Sequence, residues 1–170
     1  MLEPRQILIA GVGNELLTDD GIGVHAIREL EREPIRGVAT VAIGTDVLRG
    51  LPYLESAARV LLIDAARGGQ PPGTIYLFDS RAAGSGSPMH SLHSMGLREA
   101  LRVLSPHCPP PPIAVLGVEP ASLDYGMTLS PLVQAALPRV VARARNTILE
   151  WLRAGPPIAA PSTRAELMTA

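Results

Sequence analysis

A short apolar run at Gln6–Val12, with the sequence QILIAGV, restricts the fold of this chain more than any other segment. Such a run is typical of a strand that is buried on both faces of a parallel sheet. A glycine-rich turn follows, and apolar residues then recur at helical spacing from Ile22 to Leu30. Strand, turn and helix in this order predict the first unit of an α/β domain.

Further apolar runs predict four more strands and a long helix. Three strands should be buried, at Val38–Ile43, Arg59–Ile63 and Ile113–Val118. The alternating run Thr74–Phe78 suits an edge strand, and Pro131–Leu152 has the apolar face of a helix. Together these segments predict a three-layer, doubly wound α/β fold, with a mainly parallel twisted sheet and helices on both faces.

One domain accounts for the chain. Its 170 residues, 46% of them hydrophobic, can bury one core but are too few for two ordinary domains. We expect this domain to span residues 1–154 and the Pro/Ala-rich residues 155–170 to form a flexible tail. The net charge of −1 argues against nucleic acid or an anionic membrane as the partner.

The N-terminus and the cysteine content indicate where in the cell the protein is located. The single cysteine, Cys108, excludes an internal disulfide and a cysteine-cluster metal site. The first five residues lead into the first strand without the layout of a signal peptide, and no apolar run approaches the roughly 18 residues of a membrane span. We therefore expect a cytoplasmic protein.

The turn after the first strand, Gly11–Gly21, carries two adjacent carboxylates, Asp19 and Asp20. A dinucleotide-binding fingerprint would need a third glycine where this chain has Leu16. The two carboxylates would also repel a pyrophosphate from the backbone amides that should attract it. The turn therefore favours a cation, although either carboxylate could instead serve only as a helix cap.

Another carboxylate, Asp64, follows the third apolar run. The carboxyl ends of parallel strands are where open α/β sheets place their ligands. In a 2-1-3 strand order, Asp20 and Asp64 would face the same crevice. Two carboxylates in one site repel each other, and a bound cation or a shared proton relieves this repulsion. The alternative role for Asp64 is a helix N-cap.

Among the four histidines, at positions 25, 90, 93 and 107, His93 is the best candidate for a third ligand. It opens a segment that leads into helical periodicity, and loops at such positions often carry function. Two carboxylates and one imidazole suit a borderline cation such as nickel or zinc, without choosing between them. A thiol mechanism is disfavoured, because the adjacent residues His107 and Cys108 rarely orient for mutual proton transfer.

Four short blocks occur in an order and spacing that resemble a known family. The most specific is Gly11–Gly23 (GVGNELLTDDGIG), which matches the pattern G-x-G-N-x-L-x-x-D-[DE]-x-x-G. The others are Leu61–Ala65 (LLIDA), His93–Leu97 (HSMGL) and Gly117–Pro120 (GVEP). Over about residues 6–150 the chain thus resembles the hydrogenase maturation endopeptidases, which process the large subunit of nickel-iron hydrogenases.

This resemblance implies an endopeptidase in which Asp20, Asp64 and His93 contact the metal and serve catalysis. It also implies that the partner is a nickel-loaded hydrogenase large-subunit precursor, and not a small molecule. The enzyme would remove a short C-terminal extension from this precursor. Nickel would arrive with the substrate, so the isolated protein need bind none. A metal-polarised carbonyl and a carboxylate-activated water both fit attack on the peptide bond.

One stretch departs from the family pattern. Relatives often carry an acidic residue before the Gly-Thr that follows the second strand, whereas this chain reads Ile43-Gly44-Thr45-Asp46. We expect Gly44, Thr45 and Asp46 to contact the substrate. Either Asp46 replaces the acidic residue, or the chain serves a divergent hydrogenase class. Two other functions remain open: a non-catalytic metal-binding or chaperone relative in hydrogenase assembly, and a Rossmann-type nucleotide-binding module.

Overall fold

The structure is a computed structural model that describes residues 6–79 and 111–155. Its elements are β1 (Gln6–Val12), a 3-10 helix (Thr18–Gly21), α1 (Ile22–Glu31), β2 (Val38–Gly44), α2 (Val47–Ser56), β3 (Ala57–Ala65), β4 (Ile75–Asp79), β5 (Ile113–Val118) and α3 (Pro131–Ala154). The segment with His90, His93, His107 and Cys108, and the expected tail beyond Gly155, lie outside the described residues. The expected domain boundary therefore stays a prediction.

The five strands form one sheet in the order β2-β1-β3-β5-β4. β1 pairs in parallel with β2 and β3, and β3 pairs in parallel with β5. β4 is antiparallel to β5 and lies at the edge, as its alternating pattern predicts. The mainly parallel sheet and the 2-1-3 strand order are confirmed.

Helices cover both faces of the sheet. On one face α1 and α3 pack against alternate strand residues, including Ile9, Leu61, Ile63 and Leu116. On the other face Leu54 of α2 packs against residues such as Leu8, Leu62 and Val115. The alternation along β1 and β3 divides the core between the two faces, which gives the predicted three layers.

The sequence pattern does not predict α2. The helix contains Gly50 and Pro52, which are both unfavourable inside helices. Gly50 is needed for packing, because a Cβ there would lie 2.6 Å from Cδ1 of Ile43. Contact with β2 therefore requires glycine at position 50, although glycine is unfavourable inside a helix. Within the described ranges, no helix is long and apolar enough to cross a membrane.

Candidate functional site

The start of α1 packs directly onto the carboxyl end of the sheet. A Cβ on Gly11 would lie 2.2 Å from the carbonyl oxygen of Gly23. A Cβ on Gly23 would lie 2.3 Å from the carbonyl oxygen of Ile63. Only glycine permits such a close approach of backbones. These contacts hold the 3-10 helix that precedes α1 against the ends of β1 and β3.

The turn after β1 wraps around Asp20. Gly13 has a φ of +121°, and a Cβ there would lie 1.8 Å from the carbonyl oxygen of Asp20. Asn14 N donates to Oδ2 of Asp20 over 2.7 Å. A dinucleotide site uses such a turn for the approach of a phosphate. In this chain the turn is instead closed around the backbone of Asp20, in agreement with the argument against a nucleotide.

Asp64 lies inside β3, where it pairs with Gly117 of β5. The N-cap alternative for Asp64 is wrong, because the parallel ladder continues to Ala65 and no helix begins there. Asp64 is fully buried and Asp20 is 7% exposed. Since β1 and β3 are parallel neighbours, both carboxylates lie at the same end of the sheet. Buried charges at such an end are typical of ligand sites in open α/β sheets.

The third predicted metal-contacting residue, His93, lies outside the described residues. Among residues 6–79 and 111–155, no group of three or more His, Cys, Asp or Glu side chains is arranged to hold a metal ion. The trio of Asp20, Asp64 and His93 therefore stays a prediction. Of its members, Asp64 lies near the carboxyl end of β3 and Asp20 lies in the 3-10 helix that follows β1.

Asp19 has a different role from Asp20. Its fully buried carboxylate accepts hydrogen bonds from Ser130 N (2.7 Å), Ser130 Oγ (2.8 Å), Ala121 N (2.8 Å) and Ser122 N (3.0 Å). Ser130 is the N-cap of α3, so the negative charge lies at the positive end of that helix. The cap of α1 is Gly21, which makes no side-chain hydrogen bond. Neither carboxylate therefore caps α1.

Local sequence patterns do not reveal this network, because the partners of Asp19 are more than 100 residues away along the chain. The dipeptide Ser130-Pro131 was the available signal, since serine before a proline is a common helix start. That signal locates the N-terminus of α3. It does not indicate which carboxylate reaches it.

Glu119, from the GVEP block, anchors the loop that follows Asp64. Its Oε2 accepts hydrogen bonds from Tyr76 Oη (2.5 Å), Gly68 N (2.7 Å) and Gln70 N (3.4 Å). Burial opposes the charge of Glu119, but these hydrogen bonds outweigh it and keep the pKa of Glu119 below 4.5. Burial and the bond to Glu119 raise the pKa of Tyr76 to about 12.

An open depression of about 460 Å³ lies beside Asp20. Gly13 and Asn14 form one part of its lining, and Gly44 and Thr45 form another. Gly13 N donates to the carbonyl oxygen of Gly44 over 3.1 Å, which joins the two turns. Two of the three predicted substrate-contacting residues therefore line a space beside the candidate metal site. Their contact with substrate stays a prediction.

The remaining predicted contact residue, Asp46, is the N-cap of α2. Its Oδ1 accepts a hydrogen bond from Arg49 N over 3.1 Å. Other lining residues of the depression were not identified from the sequence: Glu15, Leu16, His25, Arg28 and Met127. Arg28 and Glu15 form an exposed ion pair on its wall. Glu15 and Leu16 belong to the Gly11–Gly23 block, but no sequence motif joins that block to the other segments that line the depression.

Comparison with known proteins agrees with this fold and site. Residues 24–147 match the family model of the hydrogenase maturation proteases. Because this match covers more than half of the chain, the protein belongs to the hydrogenase maturation protease family. Membership supports a peptidase of hydrogenase maturation and confirms the resemblance found in the sequence.

Relatives and solved structures extend over most of the chain. The hydrogenase expression/formation protein HupD of Rhodobacter capsulatus is 30% identical over 156 residues, which are 88% of this chain and 74% of that protein. HupD of Bradyrhizobium diazoefficiens is 31% identical over 156 residues, 88% of this chain and 81% of that protein. The NiFe hydrogenase maturation protease HybD from Thermococcus kodakarensis has 29% identity and a TM-score of 0.70, covering 84% of this chain and 98% of that one.

Proposed function

We propose that this protein is an endopeptidase that removes a C-terminal extension from the nickel-loaded precursor of a nickel-iron hydrogenase large subunit. Family membership supports the reaction class and a hydrogenase large-subunit precursor as the substrate. The observation that carries the proposal is the position of Asp20 and Asp64 in a chain of this family. Asp64 is buried near the carboxyl end of β3, and Asp20 is buried in the 3-10 helix that follows the neighbouring parallel strand β1.

Nickel enters this reaction as part of the substrate. Asp20 and Asp64 would contact it through oxygen, and His93 through nitrogen, a ligand set that suits a borderline divalent cation. Three protein ligands leave coordination positions open for the ligands of the precursor itself. A precursor without nickel would bring no positive charge to two buried carboxylates. Recognition of the metal and recognition of the precursor would then be one event.

Two routes of attack on the peptide bond fit these residues. Nickel can polarise the carbonyl group of the scissile bond, or a carboxylate can accept a proton from the attacking water. The depression beside Asp20 would hold the chain next to the cut. There the turn at Gly44 and Thr45 would contact an extended peptide.

The test uses the purified protein and a hydrogenase large-subunit precursor prepared with and without nickel. The loss of the extension is followed by mass spectrometry. We expect the parent to cleave only the nickel-loaded precursor. The variants Asp20→Asn, Asp64→Asn and His93→Ala should each be slower by roughly 100-fold or more. Glu150→Gln, which changes an exposed carboxylate on α3, is the matched control and should retain full activity.

Three outcomes would contradict the proposal in different ways. Equal cleavage of the nickel-free precursor would contradict the proposed recognition of nickel. Full activity in all three variants would contradict the proposed role of Asp20, Asp64 and His93. Stable binding of the nickel-loaded precursor without any loss of mass would instead indicate the non-catalytic metal-binding or chaperone function. Thermal melting of each variant shows whether a loss of cleavage reflects a loss of fold.

A further inference from the structure

Two loops beside the candidate site are joined into one unit, which we call the paired loops: residues 14–18 and 122–127. Leu17 and Gly126 form a parallel bridge. Thr18 N donates to the carbonyl oxygen of Gly126 over 2.9 Å, and Gly126 N donates to that of Leu16 over 3.0 Å. Asp19 directly follows the first of these loops, and its carboxylate accepts hydrogen bonds from the backbone of Ala121 and Ser122 at the start of the second.

The backbone of the paired loops is strained at Thr18. Its φ of +36° lies in the left-handed region, which a β-branched residue rarely adopts. Its Oγ1 has one proton, which it donates to the carbonyl oxygen of Asp124 (2.7 Å) and shares with that of Ser122 (3.2 Å), and this holds the residue in that conformation. A Cβ on Gly126 would lie 2.9 Å from Cγ2 of Thr18, so the contact also requires glycine. Such strain persists only where the surroundings enforce it, and it is concentrated at functional sites.

The paired loops present three large apolar side chains to solvent, which we call the apolar rim. Leu16 is 55% exposed, Met127 is 74% exposed and Tyr125 is 91% exposed. Single exposed apolar residues are common on protein surfaces. Three exposed apolar side chains on one strained pair of loops are, by contrast, typical of a binding surface. Tyrosine and methionine are enriched at such surfaces.

The apolar rim is continuous with the depression beside Asp20. Leu16 and Met127 line that depression together with Gly44 and Thr45. The charged pair on its wall, Arg28 and Glu15, brings one charge of each sign. This wall therefore favours neither an acidic nor a basic segment, and apolar contact is what the rim can select.

We propose that the apolar rim binds apolar side chains of the precursor's C-terminal extension and so selects the segment that is cut off. This inference rests on the proposed endopeptidase function and names the part of the substrate that the rim reads. The extension lies in the depression, its backbone against the turns at Gly13 and Gly44 and its apolar side chains against Tyr125 and Met127. The metal-contacting residues and the rim then recognise different parts of one precursor.

The test measures kcat and KM for the nickel-loaded precursor with the parent and with the double variant Tyr125→Ser, Met127→Ser. Because the rim binds but does not react, we expect KM to rise about tenfold and kcat to stay within about twofold. The matched control is Leu149→Ser, Leu152→Ser on α3, whose side chains are 40% and 42% exposed. That control should leave both constants unchanged.

A second substrate sharpens the test: the same precursor with the apolar residues of its extension replaced by serine. The parent should show the raised KM on this substrate, and the rim variant should add little to it, as expected for groups that contact each other. Unchanged KM in a folded rim variant, or a fall in kcat alone, would overturn the inference.

Failure of the two proposals can be told apart. If the parent cleaves no nickel-loaded precursor, the proposed function fails and the rim inference falls with it. If the parent cleaves and the rim variant matches it, only the inference fails. The parent could also self-associate while the rim variant does not, with the same KM for both. That result would assign the rim to contact with a second copy of this chain and would also overturn the inference.

Discussion

Asp19 and Glu119 are buried carboxylates that hold two loops of the candidate site, and they differ in how completely they are enclosed. Asp19 is fully buried, and both of its oxygens accept hydrogen bonds from the segment that leads into α3. Glu119 is 7% exposed and accepts its hydrogen bonds through Oε2, from groups that include the exposed residue Gln70. Asp19 holds the loop that carries Asp20, whereas Glu119 holds the loop that follows Asp64.

This difference indicates that the loop of Asp20 is held by a more completely buried network than the loop after Asp64. Hydrogen bonds to a charged group stabilise most where water cannot replace them. The network of Asp19 joins residues more than 100 positions apart, so its loss would release the paired loops and the start of α3 together. The network of Glu119 joins one short loop to β4 and β5.

The largest effect should come from Asp19→Asn, compared with Asp20→Asn in the next residue. We expect Asp19→Asn to lower the free energy of unfolding by about 3 kcal/mol, because an amide group turns a donor toward backbone N–H groups inside a dry network. Asp20→Asn should change that free energy by less than about 1 kcal/mol while cleavage is lost. Urea denaturation of both variants, with cleavage assays, measures the difference.

This pair of variants can also contradict the division of roles between Asp19 and Asp20. If Asp20→Asn destabilises the protein as much as Asp19→Asn, both carboxylates are structural and the division of roles is wrong. If Asp19→Asn keeps full stability, the buried network contributes less than its geometry indicates.

An intermediate effect is expected on the Glu119 side from Tyr76→Phe. Loss of the hydroxyl should lower the free energy of unfolding by about 1 kcal/mol, less than a fully buried bond to a charge, because Tyr76 is only partly buried. The pKa of Tyr76 is raised from 10.0 to about 12, so its folded state favours the protonated form. Its contribution is therefore complete below pH 10 and is lost between pH 10 and about 12.

Unfolding midpoints measured from pH 8 to 12 check this expectation. The parent should lose stability between pH 10 and about 12, and Tyr76→Phe should lack this component of the loss. Tyr53→Phe, which changes a tyrosine on α2 that is 36% exposed, is the matched control and should follow the parent. Identical pH profiles for the parent and Tyr76→Phe would show that the Glu119 network contributes nothing measurable to stability.

The smallest effect is expected at Asp46, an exposed carboxylate that accepts one backbone hydrogen bond. Asp46→Ala should lower the free energy of unfolding by about 0.5 kcal/mol through loss of the helix cap. Asp46→Ser keeps a capping oxygen and removes the charge, so it should restore stability. If Asp46→Ser also retains the parent's KM for the precursor, then Asp46 does not replace the acidic residue seen in relatives.

The sheet was predictable from short segments of sequence. Apolar runs such as Gln6–Val12 and Ile113–Val118 match the observed strands, because burial on both faces leaves no polar position in a strand. The exposed alternation near β4 likewise marked an edge strand. The helix α2 was not predictable in this way, because its Gly50 is required by contact with Ile43 of another element.

The position of Asp20 and Asp64 at one end of the sheet also followed from the sequence alone. Each carboxylate comes after an apolar run, and parallel strands align their carboxyl ends. Local patterning does not distinguish Asp19 from Asp20, since both are aspartates in the same turn, and only the family resemblance selected Asp20 as the metal contact. Only the tertiary structure shows what Asp19 does, because its hydrogen-bond partners come from beyond residue 120. Hydrogen bonds and burial between distant segments depend on how the layers pack, and no local pattern encodes that packing.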